Sequence, residues 1–223
     1  MSNRSSTIVF DFDLTLTRWD TADRFFRWLL RRDLWRLAVI ACLAPVLSPL
    51  FVLRATRKLP IRFAIWLATL GRSNDDLQRL IQEHIATLAH KTFIPTALSQ
   101  LRTHLDQDHC VVIATGCLAP LAAALLHRAG FGHVPLVAST HRHFLGGIVV
   151  DRHCFGHNKV SMLQERGFSP PWAAAYTDHR ADLPILRLSN ACFLVSPRPR
   201  CLAIIRQALP VQPTVLAWRQ SYA

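Results

Sequence analysis

The sequence predicts an α/β fold, a Rossmann-like, doubly wound and mostly parallel sheet with an all-helical insert. Short runs of β-branched and aromatic residues alternate with helical segments from about residue 94 to the C terminus. A similar run lies at residues 7–12, whereas residues 21–93 carry only helical patterns. Because alternating strands and helices build parallel sheets, we expect a core formed by residues 1–20 and 94–223, with residues 21–93 as the insert.

The first strand, TIVFDF, is apolar and runs into two carboxylates. The insert begins with an amphipathic pattern, in which Phe26, Leu30 and Leu34 share one face of a helix and arginines share another. Later in the insert, a serine or an asparagine can cap a further helix. The expected helices of the insert run from Thr21 to about Leu37, over the segment RFAIWLATL, and from Ser73 or Asn74 to about His90.

Strands and helices alternate along the rest of the chain. The predicted elements are, in order, a helix near residues 96–105, the strand CVVIATG, a helix near 118–128, the strand VPLVAST, the β-hairpin HRHFLGGIVVD, a helix after Asn158, the strand AAAYTD, a helix from about Ala181 and the strand ACFLVS. Gly146 and Gly147 mark the turn of the hairpin. In open sheets of this kind, reactive groups gather beyond the carboxyl ends of the strands.

Composition limits the domain count and indicates the kind of partner. The chain has 223 residues, enough for one catalytic domain with an insert but too few for two large unrelated domains. Lys and Arg outnumber Asp and Glu by 26 to 14, so a polyanionic partner is expected. The excess surrounds an apolar run, residues 37–53, which favours an anionic membrane surface over nucleic acid. The charged residues here are Arg24, Arg27, Arg31, Arg32, Arg36, Arg54, Arg57, Lys58 and Arg62, opposed only by Asp33.

Four polar motifs follow predicted strands or open the helices after them. They are DFDLT at residues 11–15, ATG at 114–116, HNK at 157–159 and TDHRAD at 177–182. Taken singly, a D-x-D sequence is also typical of a turn or a helix cap, and the last motif of a solvated helix start. In this order and spacing the four resemble the motifs of the haloacid dehalogenase superfamily, and the resemblance covers essentially the whole chain. It implies a hydrolase of subfamily IB or IF, whose helical C1 cap occupies the position of the insert.

The resemblance implies a role for each motif. Asp11 would be the nucleophile that forms an aspartyl-phosphate, and Asp13 the general acid and base. Magnesium is implied because a phosphate dianion repels a carboxylate unless cations gather its charge. The implied Mg²⁺ ligands are the side chains of Asp11 and Asp178 and the carbonyl of Asp13. The groups implied to bind phosphate are Thr115, Gly116 and Lys159, while Asp182 would hold a metal-bound water or orient Lys159.

Two features stand outside this pattern. Many members of the superfamily carry Gly where this chain has Leu14, which leaves the loop less free to adopt unusual dihedrals. Histidines and one cysteine also crowd the hairpin and the loop after it, at His141, His143, His153, Cys154 and His157. A zinc site is one interpretation, although the ligand spacing is irregular, and exposed histidines are the other. The six cysteines form no C-x-x-C pair and are interpreted as reduced thiols.

Residues 37–53 raise the question of membrane contact. They carry no charge, but they number only seventeen and include Pro45 and Pro49, whereas a helix that spans a bilayer needs about twenty apolar residues. Asp11 precedes the run and Thr115 follows it, so one shared site requires the chain to cross a membrane twice or not at all. We expect a bent helical hairpin that dips into one leaflet, the alternative being a buried helix of a soluble protein.

Further phrases carry a narrower resemblance. RWLLRRDLWRL, WLATLGRS, GHNKVSML and DHRADLPIL are similar to the phosphatidylglycerophosphatase C family of membrane-associated bacterial phosphatases. This implies that phosphatidylglycerophosphate is hydrolysed to phosphatidylglycerol, in phospholipid biosynthesis at the cytoplasmic face of the inner membrane. One alternative is a soluble phosphatase or phosphotransferase acting on a small metabolite such as phosphoserine. Another is a non-enzymatic binding protein with a relic site.

Overall fold

The structure, a computed structural model, describes residues 7–51, 56, 58–88 and 92–218. Its main sheet has six strands in the order β3-β2-β1-β6-β7-β8, and every neighbouring pair is parallel. The strands are β1 (Thr7–Phe10), β2 (Cys110–Leu118), β3 (Leu136–Ser139), β6 (Trp172–Thr177), β7 (Ser189–Val195) and β8 (Thr214–Leu216). The predicted Rossmann-like α/β fold is therefore confirmed.

Alternate side chains of the central strands enter two separate cores. Ile8 and Phe10 of β1 pack in one hydrophobic cluster, whereas Val9 between them packs in the other. This follows from the two-residue repeat of a strand, and it requires helices on both faces of the sheet. The helices that follow the insert are α5 (Pro95–Asp106), α6 (Ala119–Arg128), α7 (His157–Glu165), α8 (Leu183–Leu186) and α9 (Pro199–Ala208).

The described part of residues 21–93, the region predicted as the insert, contains four α-helices. They are α1 (Thr21–Arg32), α2 (Leu34–Leu47), α3 (Lys58–Thr69) and α4 (Asn74–Thr87). Asp20 caps the start of α1. At the start of α4, Ser73 forms a capping box with Asp76, so Ser73 and not Asn74 is the N-cap of this helix. His90, the predicted end of that helix, lies outside the described residues. The division of the chain into core and insert stays a prediction.

The predicted helix from Thr21 to Leu37 is wrong in one respect, because it breaks at Asp33. Asp33 is extended (φ −119°, ψ 100°), and the helices on either side of it are bent by 107°. Its carboxylate pairs with Arg36 at 2.7 Å and with Arg72 at 2.5 Å. Arg36 also donates to the carbonyl oxygens of Leu67 and Leu70 near the end of α3. The break is therefore fixed by contacts with residues far along the chain.

Helix α2 carries most of the apolar run and is exposed. All of α2 is described, and its one buried residue is Arg36, whereas Leu34 is 78% exposed and Val46 is 67% exposed. Pro45 lies within the helix, which continues to Leu47 before a 3₁₀ turn at Ser48–Phe51. The rest of the predicted hairpin, residues 52–53, and the flanking Arg54 and Arg57 lie outside the described residues.

The alternative of a buried helix does not fit this exposure. Within the described ranges, no single helix is long and apolar enough to cross a membrane. Two consecutive helical segments, Thr21–Arg32 and Leu34–Leu50, are together long and apolar enough for a span, but they are bent relative to each other.

A β-hairpin of β4 (His141–Phe144) and β5 (Gly147–Val150) packs on α3, as the pattern around Gly146 predicts. Its turn consists of Leu145 and Gly146, both with positive φ (46° and 77°). The hairpin is joined to α3 and to Gly71 just after it by the hydrogen bonds Trp66 Nε1 to Phe144 O (2.9 Å), Ile148 N to Thr69 Oγ1 (2.8 Å) and Gly71 N to Gly146 O (2.7 Å). We call this contact the hairpin seam.

The hairpin seam has no room for a side chain at Gly147. A Cβ atom there would lie 2.6 Å from Trp66 O and 2.7 Å from Trp66 Cδ1. The backbone of β5 can therefore approach α3 this closely only at a glycine.

Candidate active site

Three of the four predicted motifs meet at one edge of the sheet, because they lie on or directly after strands that are neighbours. Phe10 of β1 is in register with Ile113 of β2 and with Tyr176 of β6. Asp11 comes directly after Phe10, and its N–H donates to Tyr176 O at 2.9 Å. Thr115 and Asp178 each come two residues after the strand partners of Phe10. Parallel pairing thus brings the carboxyl ends of β1, β2 and β6 together.

The fourth motif reaches this edge through Lys159, on the first turn of α7. Its side chain is 3% exposed, and its ammonium lies 2.7 Å from Asp11 Oδ1 and 2.9 Å from Asp182 Oδ1. Gly156, with φ 60°, turns the chain directly before the helix. Residues from the beginning and the end of the domain therefore share one buried ion-pair network.

The charges of this network have fixed signs near neutral pH. Burial alone would lower the pKa of Lys159, but the adjacent Asp11 and Asp182 charges and their hydrogen bonds outweigh it and raise that pKa. Burial raises the pKa of Asp11 to about 6, with a smaller contribution from Asp182 and opposition from Lys159. At pH 7 and above Asp11 is therefore mainly a carboxylate, the form needed for nucleophilic attack.

Two threonines orient the carboxylates of the network. Thr15 Oγ1 donates to Asp11 Oδ2 at 3.2 Å, and Thr177 Oγ1 donates to Asp182 Oδ2 at 2.7 Å. Of the two predicted roles of Asp182, the contact with Lys159 is the one seen. Neither threonine was predicted as a site residue, because a hydroxyl at a strand end looks ordinary in sequence. Their position within two of the motifs was the available signal.

Asp13 is held by the start of the insert. Its Oδ1 accepts hydrogen bonds from Thr21 N at 2.8 Å and from Thr21 Oγ1 at 2.7 Å. Burial, followed by the negative charge of Asp20, raises the pKa of Asp13 to about 7, although both bonds from Thr21 oppose the rise. A carboxyl with this pKa can both give and take a proton near neutral pH. Thr21 was missed as a site residue, since only its place at a helix start marked it.

Thr115 and Gly116, two of the three predicted phosphate-binding residues, lie in the C-terminal half of β2. Thr115 is fully buried, its Oγ1 accepts from Cys117 N at 3.0 Å, and the pairing of β2 with β3 is irregular between Thr115 and Leu118. A Cβ atom at Gly116 would lie 3.3 Å from His153 Nε2. Glycine at this position therefore lets the His153 ring and the Cys154 carbonyl lie close to the backbone of β2.

Leu14 adopts a left-handed backbone conformation, although it stands where many members of the superfamily have glycine. Its φ is 61°, a left-handed value that most side chains avoid, and its N–H donates to Thr17 Oγ1 at 3.3 Å. The loop after Asp11 thus takes an unusual dihedral angle without a glycine.

The implied magnesium ligands fit the chemistry of the ion. Asp11 and Asp178 offer carboxylates and Asp13 a carbonyl, all of them hard oxygen donors beyond adjacent strands. Within residues 7–51, 56, 58–88 and 92–218, no group of three or more His, Cys, Asp or Glu side chains gathers as a complete metal site. That is compatible with Mg²⁺, which keeps several waters and commonly takes only one or two protein carboxylates along with substrate oxygens.

The histidines of the hairpin do not form a zinc site in the described part of the chain. His143 Nε2 lies 2.9 Å from Asn74 Oδ1, at the start of α4, and His153 stacks on Phe155. Burial raises the pKa of the nearby Cys154 thiol to about 11, so it is not a ready thiolate ligand. All six cysteines, each within the described residues, are free thiols.

Comparisons with known proteins agree with this architecture. A sequence model of the haloacid dehalogenase-like hydrolase family matches residues 8–187. A protein of unknown function from Bordetella pertussis Tohama I superposes with a TM-score of 0.73 at 20% identity, covering 96% of this chain and 100% of that one. A probable phosphoserine phosphatase from Vibrio cholerae superposes with a TM-score of 0.60 at 12% identity, covering 97% and 62%. A substrate-bound phosphoserine phosphatase gives 0.56 at 12% identity, covering 95% and 92%.

Proposed function

The chain belongs to the haloacid dehalogenase-like hydrolase family, and from this premise we propose that it is a phosphatase with Asp11 as its nucleophile. The observation that carries the proposal is the position of Lys159, a buried cation held between Asp11 and Asp182 beyond the ends of β1 and β6. A buried cation next to an ionised carboxylate can neutralise a bound phosphoryl group while leaving the carboxylate free to attack.

The reaction proceeds in two displacements on phosphorus. A carboxylate oxygen of Asp11 attacks, the ester P–O bond breaks, and Asp13 gives its proton to the leaving alkoxide. Asp13, now a carboxylate, takes a proton from a water molecule that attacks the phosphoaspartate, which releases phosphate and restores Asp11. The pKa of Asp13, raised to about 7 by burial, suits both steps.

The other site residues bind the phosphoryl oxygens. The proposed contacts are the Lys159 ammonium, the Thr115 hydroxyl and the Gly116 amide. Asp11, Asp178 and the Asp13 carbonyl would hold Mg²⁺, which would supply further positive charge against the repulsion between phosphate and carboxylate. Thr15 and Thr177 keep the two carboxylates of the network in fixed orientations.

We further propose that the substrate is a lipid, phosphatidylglycerophosphate, hydrolysed to phosphatidylglycerol at the cytoplasmic face of a bacterial inner membrane. The support is the exposed face of α2, where Leu34, Trp35, Leu43 and Val46 are 78%, 51%, 36% and 67% exposed. Apolar side chains so arranged, next to a cluster of arginines, suit an anionic bilayer surface. The motif phrases shared with membrane-associated phosphatases favour the same substrate. In this proposal the insert acts as a C1 cap, and nucleic acid is not a partner.

The second candidate is a phosphatase acting on a small soluble phosphomonoester such as phosphoserine. It is favoured by the described activities of two similar structures, both phosphoserine phosphatases. It does not account for the exposed apolar face of α2.

Phosphate release separates the candidates. The purified protein is assayed with Mg²⁺ on phosphatidylglycerophosphate in mixed micelles and, in parallel, on phosphoserine and other soluble phosphoesters. We expect release from the lipid, a loss of at least about 10³-fold in Asp11→Asn, and no loss in the control Asp23→Asn, whose carboxylate pairs with Arg27 on the surface. Turnover of soluble esters alone would reject the lipid substrate, and full activity of Asp11→Asn would reject the nucleophile.

A further inference from the structure

An apolar groove lies between α3, the end of α2 and the β4–β5 hairpin. It has a volume of about 350 Å³ and is lined by Leu47, Leu59, Phe63, Trp66, Phe144 and Val149, with one charged residue, Arg62. At about 30 Å³ for a group the size of water, the groove has room for roughly ten methylenes. We call it the α3–hairpin groove.

The α3–hairpin groove has a rigid floor. Trp66 and Phe144 are joined by the hydrogen bond of the hairpin seam, and Gly147 allows β5 to approach α3 without a gap. Thr69 Oγ1 accepts the Ile148 N–H beneath the same surface, where Thr69 and Ile148 are both buried. A ligand would therefore enter a preformed cleft and would not have to separate the two elements.

The positive charge of Arg62, the charged residue of the groove, acts on a histidine beside the active site. His153 lies next to Gly116, since its Nε2 is 3.3 Å from the position of a Cβ atom there. The pKa of His153 is lowered by desolvation and then by the positive charges of Lys58, Arg62 and Lys159. The cations of α3 and the catalytic lysine thus act on the same imidazole, which lies next to Gly116 of β2.

Resting on the lipid phosphatase function proposed above, we propose that the α3–hairpin groove holds an acyl chain of the substrate, with Arg62 and Lys58 binding anionic oxygens of its headgroup. Two observations select this occupant. The groove is lined by apolar side chains and by Arg62, whose positive charge acts on the same histidine as that of Lys159, and this combination matches the acyl chain and the anionic headgroup of a phospholipid. Its volume also suits a segment of one alkyl chain.

Binding of a short-chain lipid tests this assignment without depending on turnover. Dioctanoyl phosphatidylglycerol, kept below its critical micelle concentration, and its deacylated counterpart glycerophosphoglycerol are titrated into the protein by calorimetry. Burial of each methylene strengthens binding about fourfold, so we expect the dioctanoyl lipid to bind at least about tenfold more tightly. Because both ligands are monomeric, adsorption to a bilayer does not contribute.

Two variants place the chain in the groove. Val149→Trp fills it and should reduce the preference for the acylated ligand to less than about threefold. Phe144→Ser should weaken binding of the acylated ligand and leave binding of the deacylated ligand unchanged. Because the Phe144 side chain is 48% exposed, this second variant should fold even if Val149→Trp does not. The control Val211→Ser alters another exposed apolar residue, 67% exposed and outside the groove, and should bind as the parent does.

The outcomes separate the groove from the proposed reaction. Equal binding of both ligands, or a preference that survives both groove variants, overturns the acyl-chain assignment. Sedimentation velocity tests whether a second copy of the chain occupies the groove instead. If the parent is a dimer that Val149→Trp dissociates, and this variant binds lipid as the parent does, the groove is a dimer contact and the acyl-chain assignment is overturned. Tighter binding of the acylated ligand that is lost in both groove variants, together with no phosphate release from any ester, would instead refute the proposed function and leave the groove assignment standing.

Discussion

Replacing Lys159 by methionine tests the charge network on which the site depends. Methionine keeps the length and apolar stem of the side chain but leaves Asp11 and Asp182 buried without their cation, which lies 2.7 and 2.9 Å away from them in the parent. Removing one partner of a buried ion pair costs about 3–5 kcal/mol. We expect the free energy of unfolding to fall by that amount at pH 8, and phosphate release to be lost.

The loss of stability should depend on pH in a defined direction. Without Lys159 the charge that opposes the raised pKa of Asp11 is gone, so the folded variant binds a proton at Asp11 more readily than the unfolded chain does. Stability linked to such groups increases as pH falls. The deficit of Lys159→Met relative to the parent should therefore shrink between pH 8 and pH 5. In the parent, Asp11 has a pKa of about 6, raised by burial against the opposing charge of Lys159.

Urea unfolding with EDTA present, at pH 8 and at pH 5, measures both effects. The double variant Lys159→Met with Asp182→Asn should regain about half of the deficit, since one buried charge is removed. Lys58→Met, at an exposed position, should change stability by less than about 0.5 kcal/mol. A Lys159→Met protein as stable as the parent at pH 8, or a deficit that grows on acidification, would refute the buried network.

Three further predictions concern stability and are measured by chemical or thermal unfolding. Gly147→Ala should lower the free energy of unfolding by about 2–4 kcal/mol, because the new Cβ would lie 2.6 Å from Trp66 O and would break the hydrogen bonds of the hairpin seam. The control Gly167→Ala, which also has a positive φ but no atom within 4 Å of the new Cβ, should lower it by only about 1 kcal/mol. Leu145→Asn should stabilise by about 1 kcal/mol, because an Asn-Gly turn suits the positive φ values of Leu145 and Gly146 and the lost side chain is 74% exposed; no gain would contradict this account of the turn. Burial, with the charge of Arg24, lowers the pKa of His84 to about 4, so the contribution of His84 to stability should fall by about 2 kcal/mol between pH 7 and pH 5. The difference in free energy of unfolding between the parent and His84→Phe should change by that amount over this range, and a difference independent of pH would exclude the titration of His84.

Local patterns were sufficient to predict the α/β fold, since each strand is a short apolar run bounded by turn residues. They also predicted the capped start of α4 and the hairpin around Gly146. The strand order could not be read from them, because pairing of β1 with β6 depends on contacts across most of the chain. The break at Asp33 was missed for the same reason: its periodicity is helical, and the ion pair with Arg72 that fixes it is formed by tertiary packing.

The candidate site was predictable where motif residues contact one another directly. Lys159 and Asp182 were named from the order of the motifs, and the structure brings them to Asp11. Thr21 was not named, because its bonds to Asp13 depend on how the insert leaves the sheet. The inward-facing Arg36 was also unexpected, since an arginine in an apolar helix is more often at the surface. Its partners are carbonyl groups of another helix, which no sequence pattern records.

The hairpin seam has a consequence for how the chain is made. Trp66 and Thr69 leave the ribosome before Phe144 and Ile148, and at roughly 5–20 residues per second several seconds separate them. During that interval the nascent insert has no hairpin to dock against, and the apolar side chains of α2 are uncovered as well. Attachment of the insert is therefore a late, long-range step of biogenesis, and ribosomal stalling before Phe144 would leave α3 open to chaperones or to aggregation.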